Sequence, residues 1–582
     1  MAPKRKASSI DTTLAPPKRA TRSSARIAAD NAVSPVAAPA KTKAQPAKAK
    51  KVAKAAKPAK KVAKAAKPAK KVAAKKAAPA KATAPAAKKA AISTARRLDD
   101  IYARRFGDNG SSTVVRDFDV MLNQVVITDN KNKFYRMQLL QMSDGSFDVF
   151  TRWGRVGEDG VHKLLGRTTD FTTAEYEFMK KFADKTKNKW TNRNQFVPKH
   201  GAYEIVELDA TATTTGTTTV VKKTIGDDSV PSKLAPRTQK LIQMIFDKDM
   251  FKNELVRMNL DPQRMPLGTL SLSQIQKGVD ILDQLRDAMQ TGGRAAAALL
   301  STYSSKFYQL IPHAFSRHTI PPVLRTPQDL EAKYEMLATL HDIVVAQDVE
   351  KALGESTATP TQHSLDLKYA ELHSDLDLVT PTDPLFDVVQ TYIANTKGSH
   401  YGNLDLLDIW AVRREPEDAS FKSFASTPNH RLLWHGTNVA VVAAILKSGL
   451  RIMPSSGGRV GKGIYLANML EKSRAYVRAT PFEGQNIGCL FLVEAALGKM
   501  NEIHRDDSSL TKPPSGYDSV LAKGTVHPSP AMDETIELDG TPVQVNVGSP
   551  VQSGVSSSFH HDEYLVYKES QQRLRFIITF KM

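Results

Sequence analysis

Between about 105 and 208, apolar and polar positions alternate, as in "FYRMQLLQ" (Phe134 to Gln141) and "FDVFTRWGRVG" (Phe147 to Gly157). A two-residue period sends successive side chains to opposite faces, so these segments are predicted strands. Asp144-Gly145 between them is a hairpin-turn signal. A small, sheet-rich domain is therefore expected over 105–208. Residues 209–233 contain "ATATTTGTTTVVKKTIGDDS", which has Thr, Gly and charge but no apolar face, and so reads as a linker. From 234 to 354 the period becomes helical. Leu272, Ile275, Val279, Leu282, Leu285 and Met289 fall on one face, as do Tyr334, Leu337, Leu340 and Val344, which predicts an all-α bundle. "GESTATPTQHS" (Gly354 to Ser364) ends it, and strands with short helices return over 365–582. The longest apolar run, "GCLFLVEAALG", falls short of the roughly 18 residues of a membrane span and reads as a buried strand. No membrane partner is expected.

Composition refines this picture at the N-terminus. The chain has 582 residues, 41% of them hydrophobic, enough for several domains with ordinary cores. Its net charge is +22, but residues 1–90 hold 25 Lys/Arg against two acids, leaving 57 bases and 58 acids elsewhere. All the excess lies in residues 1–98. There "KKVAKAAKPA" starts at Lys50, repeats at Lys60 and begins a third, altered copy at Lys70. A Lys/Ala/Pro-rich segment without aromatics cannot bury a core, so a disordered basic tail is predicted; it resembles the tails of linker histones. It reads as a phosphate-binding tail, with a solvated spacer as the alternative. "PKRK" (Pro3 to Lys6) and "PPKR" (Pro16 to Arg19) look like nuclear import signals, and no signal-peptide apolar segment follows them. Cys489 is the single cysteine. Intramolecular disulfides and cysteine-rich zinc fingers are thereby excluded, which suits a reducing compartment.

Candidate chemistry lies in the last block, in three separated pieces. "RLLWHGTNVAVVAAILKSGLRI" (Arg431 to Ile452) is a strand, a His-Gly turn and a helix that Thr437 or Asn438 can cap and Gly449 can end. A lone His-Gly pair is by default a core histidine beside a turn glycine. "SSGGRVGKGIYLANMLEKSRAYV" (Ser455 to Val477) is no phosphate loop, because Gly463 rather than Ser or Thr follows Lys462. Nor is it a dinucleotide fingerprint, since Leu466 takes the last glycine's place. "HHDEYLVYK" (His560 to Lys568) opens a strand at Glu563. Neighbouring strand residues face opposite ways, which leaves only His561 and Glu563 together and argues against a metal site.

"LLWHGTN", "GKGIYLA", the Ser473/Tyr476 pair and "DEYLVYK" resemble, in order and spacing, the catalytic domain of poly(ADP-ribose) polymerases. "KLIQMIFDKDMFKNELVRMNLDPQRMPLGTLSLSQIQ" resembles that family's helical regulatory domain. "FTRWGRVGEDG" with "KKFADKTKNKW" resembles its Trp-Gly-Arg domain. Everything but the tail is covered, and the match is to short, DNA-dependent members without zinc fingers. The implied fold is multidomain α+β: a disordered basic tail, a Trp-Gly-Arg domain, an all-α regulatory bundle and a mixed α/β ADP-ribosyltransferase domain.

The resemblance implies that NAD+ is consumed as substrate, its nicotinamide–ribose bond being cleaved through a cationic sugar, with no metal. Gly436 and Ser473 would then hold the nicotinamide carboxamide, with Tyr476 and Tyr465 as the walls. His435 would hold the adenine ribose, with Thr437 and Arg451 near the adenosine part. Glu563 would be catalytic together with His435 and Tyr465, because a carboxylate at the ribose stabilises positive charge and polarises an incoming hydroxyl. Trp153 and Arg155, with Asn132 as a weaker choice, are implied to meet a broken DNA strand; on composition alone Trp153 reads as core. The helical block would cover the NAD+ site until DNA binds.

Three positions depart from the family pattern: Val441 where Asn is frequent, Gly458 in place of an aromatic, and Ala338 in place of an acid. The segment from Lys523 to Gln552 also aligns poorly with the acceptor-side loop. The expected function is a nuclear, DNA-break-activated ADP-ribosyltransferase acting in DNA repair. It is expected to modify proteins, itself included, and to extend poly(ADP-ribose). Its implied partners are nicked or broken DNA with a 5'-phosphate, chromatin and histones, acceptor proteins, and an accessory protein able to complete the active site. One alternative is transfer of a single ADP-ribose. The other is a non-catalytic chromatin scaffold, which a broken His-Tyr-Glu set would have signalled.

Overall fold

Five antiparallel strands form the first sheet, in the order Val161–Leu164, Phe147–Arg155, Lys131–Met142, Ser112–Val126 and Glu204–Val206. The computed structural model describes residues 98–107, 112–208, 226–260, 270–355, 362–398, 404–452 and 458–582. The basic tail with its import signals, most of the 209–233 linker and most of "GESTATPTQHS" lie outside the described residues. The hairpin at Asp144-Gly145 closes as its sequence requires. Gly145 takes φ +80°, and the Asp144 carboxylate accepts the Ser146 backbone N–H at 3.0 Å.

The strand Lys131–Met142 is buried on both faces from Phe134 to Leu140, although its alternation suggested one wet face. Tyr135, Met137 and Leu139 pack on Phe178 and Phe182 of the helix Phe171–Thr186. Phe134, on the opposite face, shares a core with Phe307, Tyr308 and Ile311 of the helical block. Helices thus cover both faces of this sheet.

The helical block consists of Pro236–Ile245, Lys248–Arg257, Leu272–Thr291, Gly293–Leu310 and Pro327–Glu355. Ser271 caps the third of these, its hydroxyl accepting the Gln274 N–H at 3.1 Å. Ile275, Val279, Leu282 and Leu285 are buried as their spacing predicts, while Leu272 stays exposed in the first turn. The block does not close around a single core of its own. Leu282, Leu337 and Leu340 join the first sheet's core, whereas Leu241, Ile245, Phe251, Ile343 and Val349 join that of the C-terminal domain. The long helix Pro327–Glu355 therefore belongs to both.

In the C-terminal domain, nine strands run in the order Met500–Ile503, Ser519–Ala522, Glu563–Val566, Ile464–Ala467, His430–Gly436, Gln485–Ala496, Gln572–Lys581, Asp405–Arg413 and Asp375–Leu378. Cores lie on both sides of this sheet: Leu433, Phe491 and Ile577 face one, Leu432, Trp434 and Ile578 the other. Inside it, the Glu494 carboxylate meets His430 Nδ1 at 2.7 Å, Arg573 Nε at 2.9 Å and Arg575 Nε at 2.6 Å. Burial alone would raise the Glu494 pKa, but these cationic and hydrogen-bonding partners hold it at about 2. The poorly aligning segment from Lys523 is ordered, with strands Gly524–Pro528, Glu534–Leu538, Thr541–Val545 and Pro550–Gln552.

Candidate active site and groove

Three neighbouring strands carry the expected catalytic positions. Trp434, Ala467 and Glu563 lie opposite one another across His430–Gly436, Ile464–Ala467 and Glu563–Val566. His435 is one residue past that row and Tyr465 two residues from it. Residues distant in sequence are thus brought together by strand pairing alone.

The His-Gly turn is fixed by a close approach. A Cβ on Gly436 would stand 1.7 Å from the Ser473 carbonyl oxygen, so no other residue fits against the helix Leu470–Arg474. The buried Ser473 hydroxyl donates to the Trp434 carbonyl at 3.1 Å, tying that helix to the strand. Asn438, rather than Thr437, caps the following helical turn by accepting the Ala440 N–H at 3.0 Å, and Gly449 ends the helix at φ +77°. Thr437 is half-buried beside it, its carbonyl facing the Arg478 N–H.

Each side chain has a defined anchor. His435 Nδ1 lies 3.1 Å from the Tyr465 carbonyl, which can only accept, so the proton sits on Nδ1. Burial lowers the His435 pKa; the imidazole is neutral at pH 7 and its Nε2 is left as an acceptor. The Tyr465 hydroxyl donates to the Gly461 carbonyl at 2.8 Å and accepts the Val460 N–H at 3.0 Å. A Cβ on Gly458 would come within 2.4 Å of that hydroxyl, which gives the departure at Gly458 a steric reason. Tyr476 lies just past the helix, 52% exposed, with its N–H on the Ser473 carbonyl at 3.1 Å and the Lys472 ammonium 5.6 Å from its ring centroid.

Glu563 is 4% exposed, and its Oε1 accepts from Lys472 Nζ at 2.7 Å. Burial opposes the Lys472 charge, but the Glu563 carboxylate and Tyr476 outweigh it, and the net pKa is raised. Lys472 was not foreseen as a site residue. Its only signal was its place, one residue before Ser473 and four before Tyr476.

This cradle suits NAD+: a turn without a Cβ, a neutral imidazole acceptor, an exposed tyrosine face and an anchored carboxylate match a carboxamide, ribose hydroxyls and a flat ring. Arg451 is engaged elsewhere. Its guanidinium donates to the Asp342 carboxylate and to His341 Nδ1 at 3.3 Å, both on the long helix.

The three residues expected to meet DNA gather at the joint between the first sheet and the helical block. Trp153 stacks on Tyr135 with centroids 5.7 Å apart and planes at 14°. It also lines a groove of about 550 Å³ with Arg155, Glu158, Asp159, Val161 and Arg317. Asn132 is fully buried, its amide donating to the His313 carbonyl at 2.9 Å, so it offers no atom to DNA while this joint is closed. Arg155 donates to the Phe315 and Thr319 carbonyls, each at 3.0 Å.

Comparison with known proteins finds three family matches along the chain. Residues 385–582 match the poly(ADP-ribose) polymerase catalytic domain, 232–369 the poly(ADP-ribose) polymerase regulatory domain, and 118–197 the WGR domain. Mouse (Mus musculus) protein mono-ADP-ribosyltransferase PARP3 is 45% identical over 490 residues, covering 82% of this chain and 90% of its own length. The human (Homo sapiens) protein of that name is 43% identical over 81% of the chain and 89% of its own length. Human poly [ADP-ribose] polymerase 2 is 32% identical, covering 79% of each chain.

Proposed function

The chain belongs to the poly(ADP-ribose) polymerase family and is an NAD+ ADP-ribosyltransferase; from that premise we propose that it acts in the nucleus and is switched on by broken DNA. The observation that carries this reading is the long helix Pro327–Glu355. At one end Lys333 Nζ meets His313 Nε2 at 2.8 Å, beside the joint that Trp153, Arg155 and Asn132 form. Near its middle, about two and a half turns further on, Asp342 grips Arg451 next to the cradle. A ligand that shifts the joint shifts a helix that holds a residue of the NAD+ site, which is what coupling between two sites requires.

Within the cradle, Gly436 and Ser473 hold the carboxamide, Tyr465 and Tyr476 flank the nicotinamide, and His435 accepts from a ribose hydroxyl. Thr437 and a released Arg451 serve the adenosine side. Glu563, fixed by Lys472, faces the positive charge that develops on the ribose and polarises the acceptor. The basic tail adds salt-sensitive contacts to DNA and chromatin, and acceptors include the protein itself.

The product is a single ADP-ribose. The relatives at 45%, 43% and 41% identity carry the name mono-ADP-ribosyltransferase, whereas those at 34% and 32% carry the name poly [ADP-ribose] polymerase. Polymer extension, the expectation from the motifs alone, stays as the second reading because His435, Tyr465 and Glu563 are all present. The test is incubation with labelled NAD+ and nicked, 5'-phosphorylated DNA, with products resolved by size. One-unit adducts support the first reading and ladders the second. No labelled protein with DNA present would refute both.

A further inference from the structure

The groove beside Trp153 holds two guanidinium groups, and they are engaged very differently. Arg155 is spent inside the protein: Nε donates to the Phe315 carbonyl at 3.0 Å, Nη1 to the Asn130 carbonyl at 3.1 Å, and Nη2 to Asn130 Oδ1 and the Thr319 carbonyl at 3.0 Å each. Four of its five N–H donors are satisfied in a fixed plane, so from the groove wall it clamps the 315–319 segment and has little left to offer a phosphate.

Arg317, inside that clamped segment, has a side chain 74% exposed. Its partner is Glu158, met in a two-point fork with Nε–Oε1 at 2.7 Å and Nη2–Oε2 at 2.8 Å. Solvent at the exposed guanidinium screens the attraction in this fork, so a more highly charged ligand of the same geometry can compete for it. A terminal phosphate matches the same fork and carries more charge than a carboxylate.

Arg317 also stands at a mechanically connected point. The segment on which it lies is held by Arg155 on one side and, through the His313 carbonyl, by Asn132 on the other. The His313 ring in turn contacts Lys333 of the long helix. A ligand that draws Arg317 away from Glu158 therefore pulls on the connection between the first sheet and the helix that reaches Arg451.

We propose that Arg317 is a phosphate ligand contributed by the regulatory bundle to the DNA-break site, and that its exchange from Glu158 to a strand-end phosphate makes the bundle respond to DNA. This rests on the reading of the Trp153 groove as a DNA-break site. Glu158 is the competitor: it occupies the fork when no phosphate is present and repels a phosphate that does not displace it. Arg155 is the clamp that transmits the displacement.

The test measures binding of the full chain to two nicked duplexes that differ only in a 5'-phosphate or a 5'-hydroxyl at the nick, for wild type, Arg317→Ala and Glu158→Gln. Wild type is expected to prefer the phosphate form. Arg317→Ala should lose about tenfold in affinity for that form and almost nothing for the hydroxyl form. Glu158→Gln should move the other way, binding the phosphate form about threefold tighter, because the competing charge is gone. The inference is overturned if wild type has no phosphate preference, if Arg317→Ala keeps it or weakens both forms equally, or if the two variants shift in the same direction, as a plain structural clasp would. Nicotinamide release measured in the same samples judges the functional reading separately. Wild type that binds the nick without stimulation would sink that reading, while the affinities still decide the role of Arg317.

Discussion

Buried Glu563 and half-buried Lys333 are titratable residues in opposite situations. Glu563 is paired with Lys472 at 2.7 Å and borders the NAD+ cradle. Glu563→Gln keeps the shape and removes the charge. Nicotinamide release should fall by at least about 100-fold, while NAD+ affinity measured by calorimetry changes little. Turnover within a factor of a few of wild type would remove Glu563 from the chemistry. Lys333, by contrast, meets no carboxylate at hydrogen-bonding distance among the described residues, only the neutral His313 ring at 2.8 Å and the Met336 sulfur at 3.9 Å, and burial lowers its pKa from 10.5 to about 8. The folded state therefore binds fewer protons than the unfolded state between about pH 8 and 10.5, and this residue makes stability rise with pH across that window. Lys333→Met should abolish that increment in urea midpoints measured at pH 7.5 and 9.5. An unchanged pH slope in the variant would show that Lys333 is not the group responsible.

Legibility at this scale follows the range of the interaction. His435, Gly436, Tyr465, Ser473, Tyr476 and Glu563 could be singled out because each stands in a short motif, where local spacing fixes position. What each side chain touches could not be read, because Lys472 meets Glu563 across 91 residues and Arg155 meets Phe315 across 160. Trp153 and Arg155 were read as one DNA-facing pair. In the fold both line one groove, and Arg155 also clamps the 315–319 segment, a contact that the motif does not reveal.

Among the elements, periodicity located strands and helices but not the surfaces they share. The strand Lys131–Met142 alternates as if one face were wet, yet Phe134 meets the helical block. The long helix Pro327–Glu355 shows an apolar face at Tyr334, Leu337, Leu340 and Val344, and nothing in that period reveals that Ile343, Ala346 and Val349 serve a different core. Removing 234–354 entirely would bare two apolar surfaces, so a point substitution is the cleaner probe of restraint. Asp342→Ala breaks the tie to Arg451 without opening either core. It should raise nicotinamide release in the absence of DNA by about threefold to tenfold, since a modest shift toward a minor open state scales directly into rate. A folded Asp342→Ala protein no faster than wild type would mean that this contact does not restrain the site.

For the whole molecule, the chain places the Trp153 groove and the proposed NAD+ cradle on two sheets, joined through one helical block that shares a core with each. The division into sheet, bundle and second sheet was legible because composition and period change at each boundary. The sharing of cores was not, because it depends on side chains hundreds of residues apart. Coupling follows from that sharing: neither sheet can move against the block without disturbing packed side chains on its far side. The most direct test is the rate of nicotinamide release by the full chain, with and without saturating nicked, 5'-phosphorylated DNA whose binding is confirmed by anisotropy. A rise of at least about tenfold on DNA binding is predicted, the size of an ordinary coupling free energy. The same rate with DNA bound and without it would contradict the account.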